Sequence, residues 1–388
     1  MRRTILLLAT MSLTVLLASG VALSLSTTGE LDGNTPSNDR CLPGNLASNK
    51  DRPLITFMTR NLYLGADPSP VFEAVGRGDR LDIIQATTSA WATVKATNFP
   101  ERAKALADEI ERSDPLLVGL QEVSLYRTGP FDSFFGNQTR ATHVEFDYLD
   151  ILRRELIERD LHYAPVAVTV NIDAENPGYT APGVLQDIRL TDHDVILART
   201  DLLDSKLQLS NRQGGNFANY ASVRIGNTGQ SIKLLRGWNS VDVTLHGQTF
   251  RFINSHLEQE GPFNEIQVAQ GHEILQGPAD TDLPVILAGD FNSRADRTGT
   301  PTYGNLIGAG FNDAWRATHP RDLGNTWGHD EDLRNTTADL TQRLDLVLFR
   351  DNLCALDADV VGDELTDRTP SGLWPSDHAG VVATLRGE

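Results

Sequence analysis

The sequence predicts a mixed α/β (α+β) domain of layered sheets and helices, and three observations carry that reading. Apolar runs of strand length recur along the chain, at residues 54–64, 116–123, 241–245, 248–255, 284–289, 343–349 and 380–385. Stretches with helical spacing lie among them, at 100–112, 144–158 and 264–275. No internal repeat and no second linker-like stretch divides residues 53–388, so these elements belong to one large domain and not to a helical bundle.

Each element has a local reason. In 54–64, Ile55, Phe57, Thr59 and Asn61 alternate onto one face of a strand. Pro100 suits the first turn of a helix whose Ala103, Leu106, Ala107 and Ile110 form an apolar stripe. Pro115 bounds the buried strand that follows. A Gly277-Pro278 breaker ends the helix at 264–275. The His246-Gly247 pair between two alternating runs predicts a β-hairpin. From Tyr126 to Leu190 no single period holds, with interruptions such as Asn176-Pro177-Gly178, and long surface loops are expected there.

The 388 residues carry 34 Lys+Arg against 52 Asp+Glu, a formal charge of −18. That balance argues against a broad electropositive track for nucleic acid, though not against a local basic patch. Arg2 and Arg3 precede an uncharged stretch with an apolar centre, and small residues follow at Ala18, Ser19 and Gly20. Residues 1–24 therefore read as a signal peptide of an exported protein, with an uncleaved anchor as the competing reading. Residues 25–52, rich in Ser, Thr, Asn, Asp, Gly and Pro, read as a linker ahead of the domain at 53–388. The two cysteines, Cys41 and Cys354, suit a disulfide outside the cytoplasm, with two buried thiols as the alternative.

Several strands end in a polar side chain able to bind a hard cation or move a proton. Asp290 and Asn292 follow the apolar run 284–289, Glu122 extends the alternation of Leu116, Val118 and Leu120, and Asn61 shares a face with Ile55 and Phe57. His256 follows Phe250, Phe252 and Asn254, Asp345 shares a face with Val347 and Phe349, and Asp377 and His378 precede the last strand. Taken one at a time, each has a structural reading: a turn, a salt bridge or a satisfied core polar group. Together they are an oxygen and imidazole inventory suited to magnesium or manganese, not to structural zinc. Zinc-protease, phosphate-loop, nucleophile-elbow and dinucleotide signatures are absent from the sequence.

The order Arg60-Asn61-Leu62, Gly119-Leu120-Gln121-Glu122-Val123, Asn254-Ser255-His256-Leu257, Gly289-Asp290-Phe291-Asn292, Arg343-Leu344-Asp345 and Ser376-Asp377-His378 resembles the endonuclease/exonuclease/phosphatase superfamily. That superfamily includes pancreatic-type deoxyribonucleases, abasic-site endonucleases, secreted sphingomyelinases and inositol polyphosphate phosphatases. The resemblance implies a four-layer αββα sandwich of two mostly antiparallel sheets. It implies a Mg2+ (or Mn2+) ion held by Asn61 and Glu122, with Asp377 contributing, and water and phosphate oriented by Asp290 and Asn292. His378 paired with Asp345, and His256, would handle protons, with acid and base roles left open. The expected activity is a secreted, metal-dependent phosphodiesterase acting on a phosphate ester, nucleic acid foremost, as a monomer. A phospholipid substrate touched by Phe131, Phe134 and Phe135, a small phosphomonoester, and a non-catalytic surface binding module are the alternatives. Asp67 is a further candidate for a place near the metal that no motif fixes, and the segment from Asn211 to Gly215 matches no substrate-specific motif.

Overall fold

The computed structural model describes residues 54–132, 134, 140–202 and 207–387. The expected signal peptide, linker and Cys41 lie outside them; Cys354 is buried, and no described cysteine is free.

The strands are β1 (Leu54–Asn61), β2 (Leu117–Gln121), β3 (Leu125–Pro130), β4 (His143–Asp147), β5 (Tyr163–Ala181), β6 (Val184–Arg199), β7 (Leu207–Asn216), β8 (Ala221–Arg224), β9 (Ser231–Leu234), β10 (Gly237–Leu245), β11 (Gln248–His256), β12 (Val285–Asp290), β13 (Asn312–Asp313), β14 (Asp345–Arg350), β15 (Leu353–Val361) and β16 (Gly380–Gly387). The helices are α1 (Ser69–Arg77), α2 (Arg80–Ala96), α3 (Phe99–Ser113), α4 (Tyr148–Glu158), α5 (Asn264–Gln276), α6 (Thr302–Gly308) and α7 (Ala314–Thr318). One sheet runs β15-β16-β1-β2-β6-β3-β4, with β5 paired to β6, and the other runs β13-β14-β12-β11-β10-β7.

Alternation along the strands sorts side chains into three cores. Phe57, Ile196, Val241, Phe252, Ile286, Val347 and Phe349 fill the space between the sheets. Met58, Val118, Leu120 and Leu197 pack outward against α2, α3 and α4. Ile253, Leu287 and Leu348 pack outward against α5 and α6. Helices, sheet, sheet and helices thus make the four layers.

Strand directions bring the polar ends to one edge. β1 and β2 are parallel, as are β11 and β12, so Asn61, Glu122, His256 and Asp290 emerge together. β14 and β16 run antiparallel to β12 and β1, which puts their beginnings, at Asp345 and just after His378, on the same edge. The two sheets are tied beneath that edge: Gln121 Nε2 donates to Asn254 Oδ1 at 2.6 Å, and Asn254 Nδ2 donates to Leu120 O at 3.0 Å. Gly119 allows this approach, because a Cβ there would sit 2.6 Å from Asn254 Oδ1.

Some expectations change. The described residues between 126 and 190 fold largely into β3, β4, α4 and the long β5–β6 hairpin in place of the expected surface loops. Three register shifts break its period of two, and Pro177 is tolerated because β5 pairs on one side only. The helix expected from Val144 begins at Tyr148, where Asp147 caps it by accepting from Asp150 N at 3.0 Å. Asn211 to Gly215 lies in edge strand β7, with Asn211 Nδ2 bonded to Asp242 Oδ2 at 2.8 Å, a structural placement. His246 and Gly247 both take positive φ, as a two-residue hairpin turn requires.

Candidate active site

Glu122, His256, Asp290, Asn292, Asp377 and His378 line a cleft of about 490 Å³ that also takes in Tyr63, Asp67, Arg236, Arg294, Trp327 and His329, with Asn61 and Asp345 behind its wall. Asp290 is its hub. Register places it directly opposite His256 on one side and Asp345 on the other. Its Oδ2 accepts from Asn61 Nδ2 at 3.1 Å and lies 3.5 Å from His256 Nε2 and 3.7 Å from His378 Nε2. Its Oδ1 accepts from the backbone N–H of Asn292 at 2.9 Å. Burial pushes the Asp290 carboxyl above the usual carboxylate range, and the charge of His378 opposes that shift.

His378 is oriented from behind. Its Nδ1–H donates to Asp345 Oδ2 at 2.8 Å, Thr326 Oγ1 accepts from Asp345 N at 3.1 Å, and buried Arg60 donates to the His378 carbonyl. Burial alone would depress the imidazole; Asp345, Asp290 and Asp377 outweigh it and hold His378 well above its usual value, as the imidazolium. Ligand atoms of Asp290, Asp345 and His378 lie within 4.8 Å of one another, yet Asp345 already occupies one imidazole nitrogen. That bonding pattern makes a proton-holding chain, and it leaves Asp345 Oδ1 without a hydrogen-bond partner.

Glu122 and Asp377 make the more cation-like pair. β2 ends at Gln121, and Glu122 takes a positive φ of 57° that turns its side chain into the cleft, where Oε2 accepts from Leu64 N at 2.6 Å. The simple alternation expected from Leu116 through Glu122 fails here: Val118 and Leu120 face the outer helices, and the turn at Glu122 supplies the direction. Burial and Asp192 raise the Glu122 carboxyl. Burial pushes Asp377 up to about 6, with Glu122 adding to it. Carboxylates that repel one another across the cleft suit a hard divalent cation, while the side-chain oxygen of Asn61 accepts from Tyr63 N at 2.8 Å.

Asn292 also has positive φ, 48°, and its Nδ2 donates to Leu257 O at 3.0 Å. Asp67 lines the cleft and accepts from Ser69 N at 2.8 Å. The sequence offers no pattern for Arg236, which the fold buries beside His256. Its Nη1 lies 3.0 Å from Nδ1 and 3.1 Å from Nε2 of that imidazole. Burial first, then the Arg236 charge, holds His256 well below its usual value, hence neutral. Phe131 and Phe134 meet edge to face at 5.4 Å, and Arg80 lies 5.0 Å over Phe134, so these two rings are partnered within the fold; Phe135 lies outside the described residues.

The model of the Endonuclease/Exonuclease/phosphatase family matches residues 90–378. A family protein from Bacteroides thetaiotaomicron superposes with a TM-score of 0.51 at 17% identity, covering 87% of this chain and 99% of its own. One from Leptotrichia buccalis gives 0.51 at 15% identity over 85% and 99%, and one from Bacteroides vulgatus gives 0.50 at 14% over 87% and 100%. These likenesses are of fold. No curated protein matches the chain by sequence. With the family span reaching from α2 to His378 and the strand-end groups gathered around Asp290, the chain belongs to the endonuclease/exonuclease/phosphatase family, whose members hydrolyse phosphoester bonds.

Proposed function

We propose that this chain is an exported, Mg2+- or Mn2+-dependent phosphodiesterase, with nucleic acid as the foremost substrate class. The observation that carries the reading is the placement of one Asp290 oxygen among Asn61 and two imidazoles of different charge. The export part rests on Arg2, Arg3 and the apolar stretch after them.

Asn61, Glu122 and Asp377 would hold the cation, which supplies charge stabilisation at phosphate oxygens. Asp290, fixed by the Asn61 amide and the Asn292 N–H, orients water and accepts its proton. His378, kept charged by Asp345, stabilises the negative charge that builds on the phosphoryl oxygens. His256 is neutral, so Arg236 is the fixed cation on that side, and His256 serves as a hydrogen-bonding group. The packed Phe131–Phe134 pair takes support from a membrane-touching phospholipase.

The test is hydrolysis of an activated phosphodiester, plasmid DNA, RNA, sphingomyelin and a phosphomonoester, with magnesium and with chelator. Diester and nucleic-acid turnover abolished by chelator is the expected result. Turnover of the monoester alone, or no turnover with any divalent metal, contradicts it.

A further inference from the structure

Behind Arg236 lies a second group of buried oxygens that the proposed reaction does not use. Asp192 and Asp194 sit two residues apart on β6, 1% and 0% exposed, on the face shared with Ile196 and Ala198, which turns toward the space between the sheets. Asn239 of β10 comes from the other sheet, 0% exposed, and its Nδ2 donates to Asp194 O at 2.7 Å. Asn171 of β5 donates to Asp192 Oδ2 at 3.3 Å. Four oxygens here make no hydrogen bond of normal geometry, namely Asp192 Oδ1, both carboxylate oxygens of Asp194, and Asn239 Oδ1, although the Asn171 amide lies near enough to Asp194, and the His193 N–H near enough to Asp192, to ease their charge.

Fixed charge does not balance this group. Arg236 feels Glu258, Asp192, Glu122 and Asp194 together, and its close carboxylate contact is with Glu258, at 3.8 Å. Burial raises both Asp192 and Asp194, and Asp192 pushes Asp194 further. One proton on the pair would relieve that repulsion but supply a single donor, too few for the four unpartnered oxygens. A hard cation relieves it and engages the carboxylates and the amide oxygen at once.

We propose that Asp192, Asp194 and Asn239 form a second, structural site for a hard divalent cation, calcium by preference, that links β6 of one sheet to β10 of the other behind Arg236. The donor set is oxygen only and shares no residue with the Asn61, Glu122 and Asp377 group.

Calcium titration by calorimetry into the chelator-stripped full chain carrying Glu122→Gln and Asp377→Asn tests it, since this variant removes the two carboxylates proposed to hold the catalytic cation, and the Asp194 and Asn239 changes assign the remaining binding against the Asp290–Asp345–His378 group. One calcium per chain is expected, weakened at least tenfold by adding Asp194→Asn and tightened at least tenfold by adding Asn239→Asp. No binding in the starting variant, or binding unchanged by either addition, overturns the proposal. Should Asp194→Asn fail to fold, the Asn239→Asp comparison decides alone. Phosphodiester turnover by the wild type is read separately, so loss of this site and failure of the proposed activity are distinguishable.

Discussion

Asp345 and His378 form a pair whose effect on rate can be separated from its effect on folding. The imidazolium exists at neutral pH because Asp345, Asp290 and Asp377 overcome the cost of burial. Removing the charge of Asp345 lowers the His378 pKa, because Asp345 is the largest of the charges that raise it. Asp345→Asn is therefore expected to move the alkaline limb of the kcat/KM profile to lower pH, while His378→Ala lowers the rate by ~10²–10⁴. An unmoved alkaline limb in Asp345→Asn would show that protonated His378 is not required. On the other side of the cleft, Arg236→Gln removes a fixed cation, with an expected loss of ~10²–10³ in kcat. The same change raises the pKa of His256, which imidazole NMR titration reads directly, because Arg236 is one of the groups that depress it.

At the scale of elements, the positions of β1 and β16 depend on one buried ion pair. Arg60 on β1 meets Glu109 on α3 at 2.8 Å and 2.9 Å, both side chains 1% exposed, and also donates to the His378 carbonyl. Glu109→Leu leaves that guanidinium buried without its partner and is expected to cost about 3–5 kcal/mol in urea unfolding, with less loss in the Arg60→Met/Glu109→Leu double variant. Equal loss in both variants would assign the cost to packing and not to charge. The elements that carry the site were legible because their signals are local: an apolar run, then one polar residue, as in β11 to His256 and β12 to Asp290. The β5–β6 hairpin was not, since three register shifts and Pro177 erase its alternation. Nor was the direction of Glu122, which depends on a left-handed turn, or the place of Arg236, whose partners all come from other segments. Asp192 and Asp194 did leave a signal: two acids at alternate positions just before the apolar stretch 195–198, the mirror of the pattern after 284–289 that singled out Asp290 and Asn292.

For the molecule as a whole, Asp192, Asp194 and Asp290 are buried and Glu122 and Asp377 half-buried near one edge of the sandwich, with carboxyls raised above their ordinary values. A carboxyl raised in the fold destabilises it as pH climbs from the unfolded pKa through the folded one, because the fold must then keep an ionised group it disfavours. Divalent cation reverses that penalty and competes with protons for the same oxygens. Magnesium or calcium is therefore expected to raise the thermal midpoint more at pH 8 than at pH 5, with most of the change around pH 6, where Asp377 titrates. An equal shift at both values would remove the buried carboxylates as cation donors. The net charge of −18 adds a salt dependence: if nucleic acid is the substrate, rising salt first relieves repulsion between protein and polyanion before it screens the local cations. The most direct test of the account is phosphodiester turnover by Asp290→Asn, folded by circular dichroism and saturated with magnesium. A loss of at least about a thousandfold is the expected result if Asp290 is the proton acceptor proposed for the site; turnover within threefold of the wild type would contradict it.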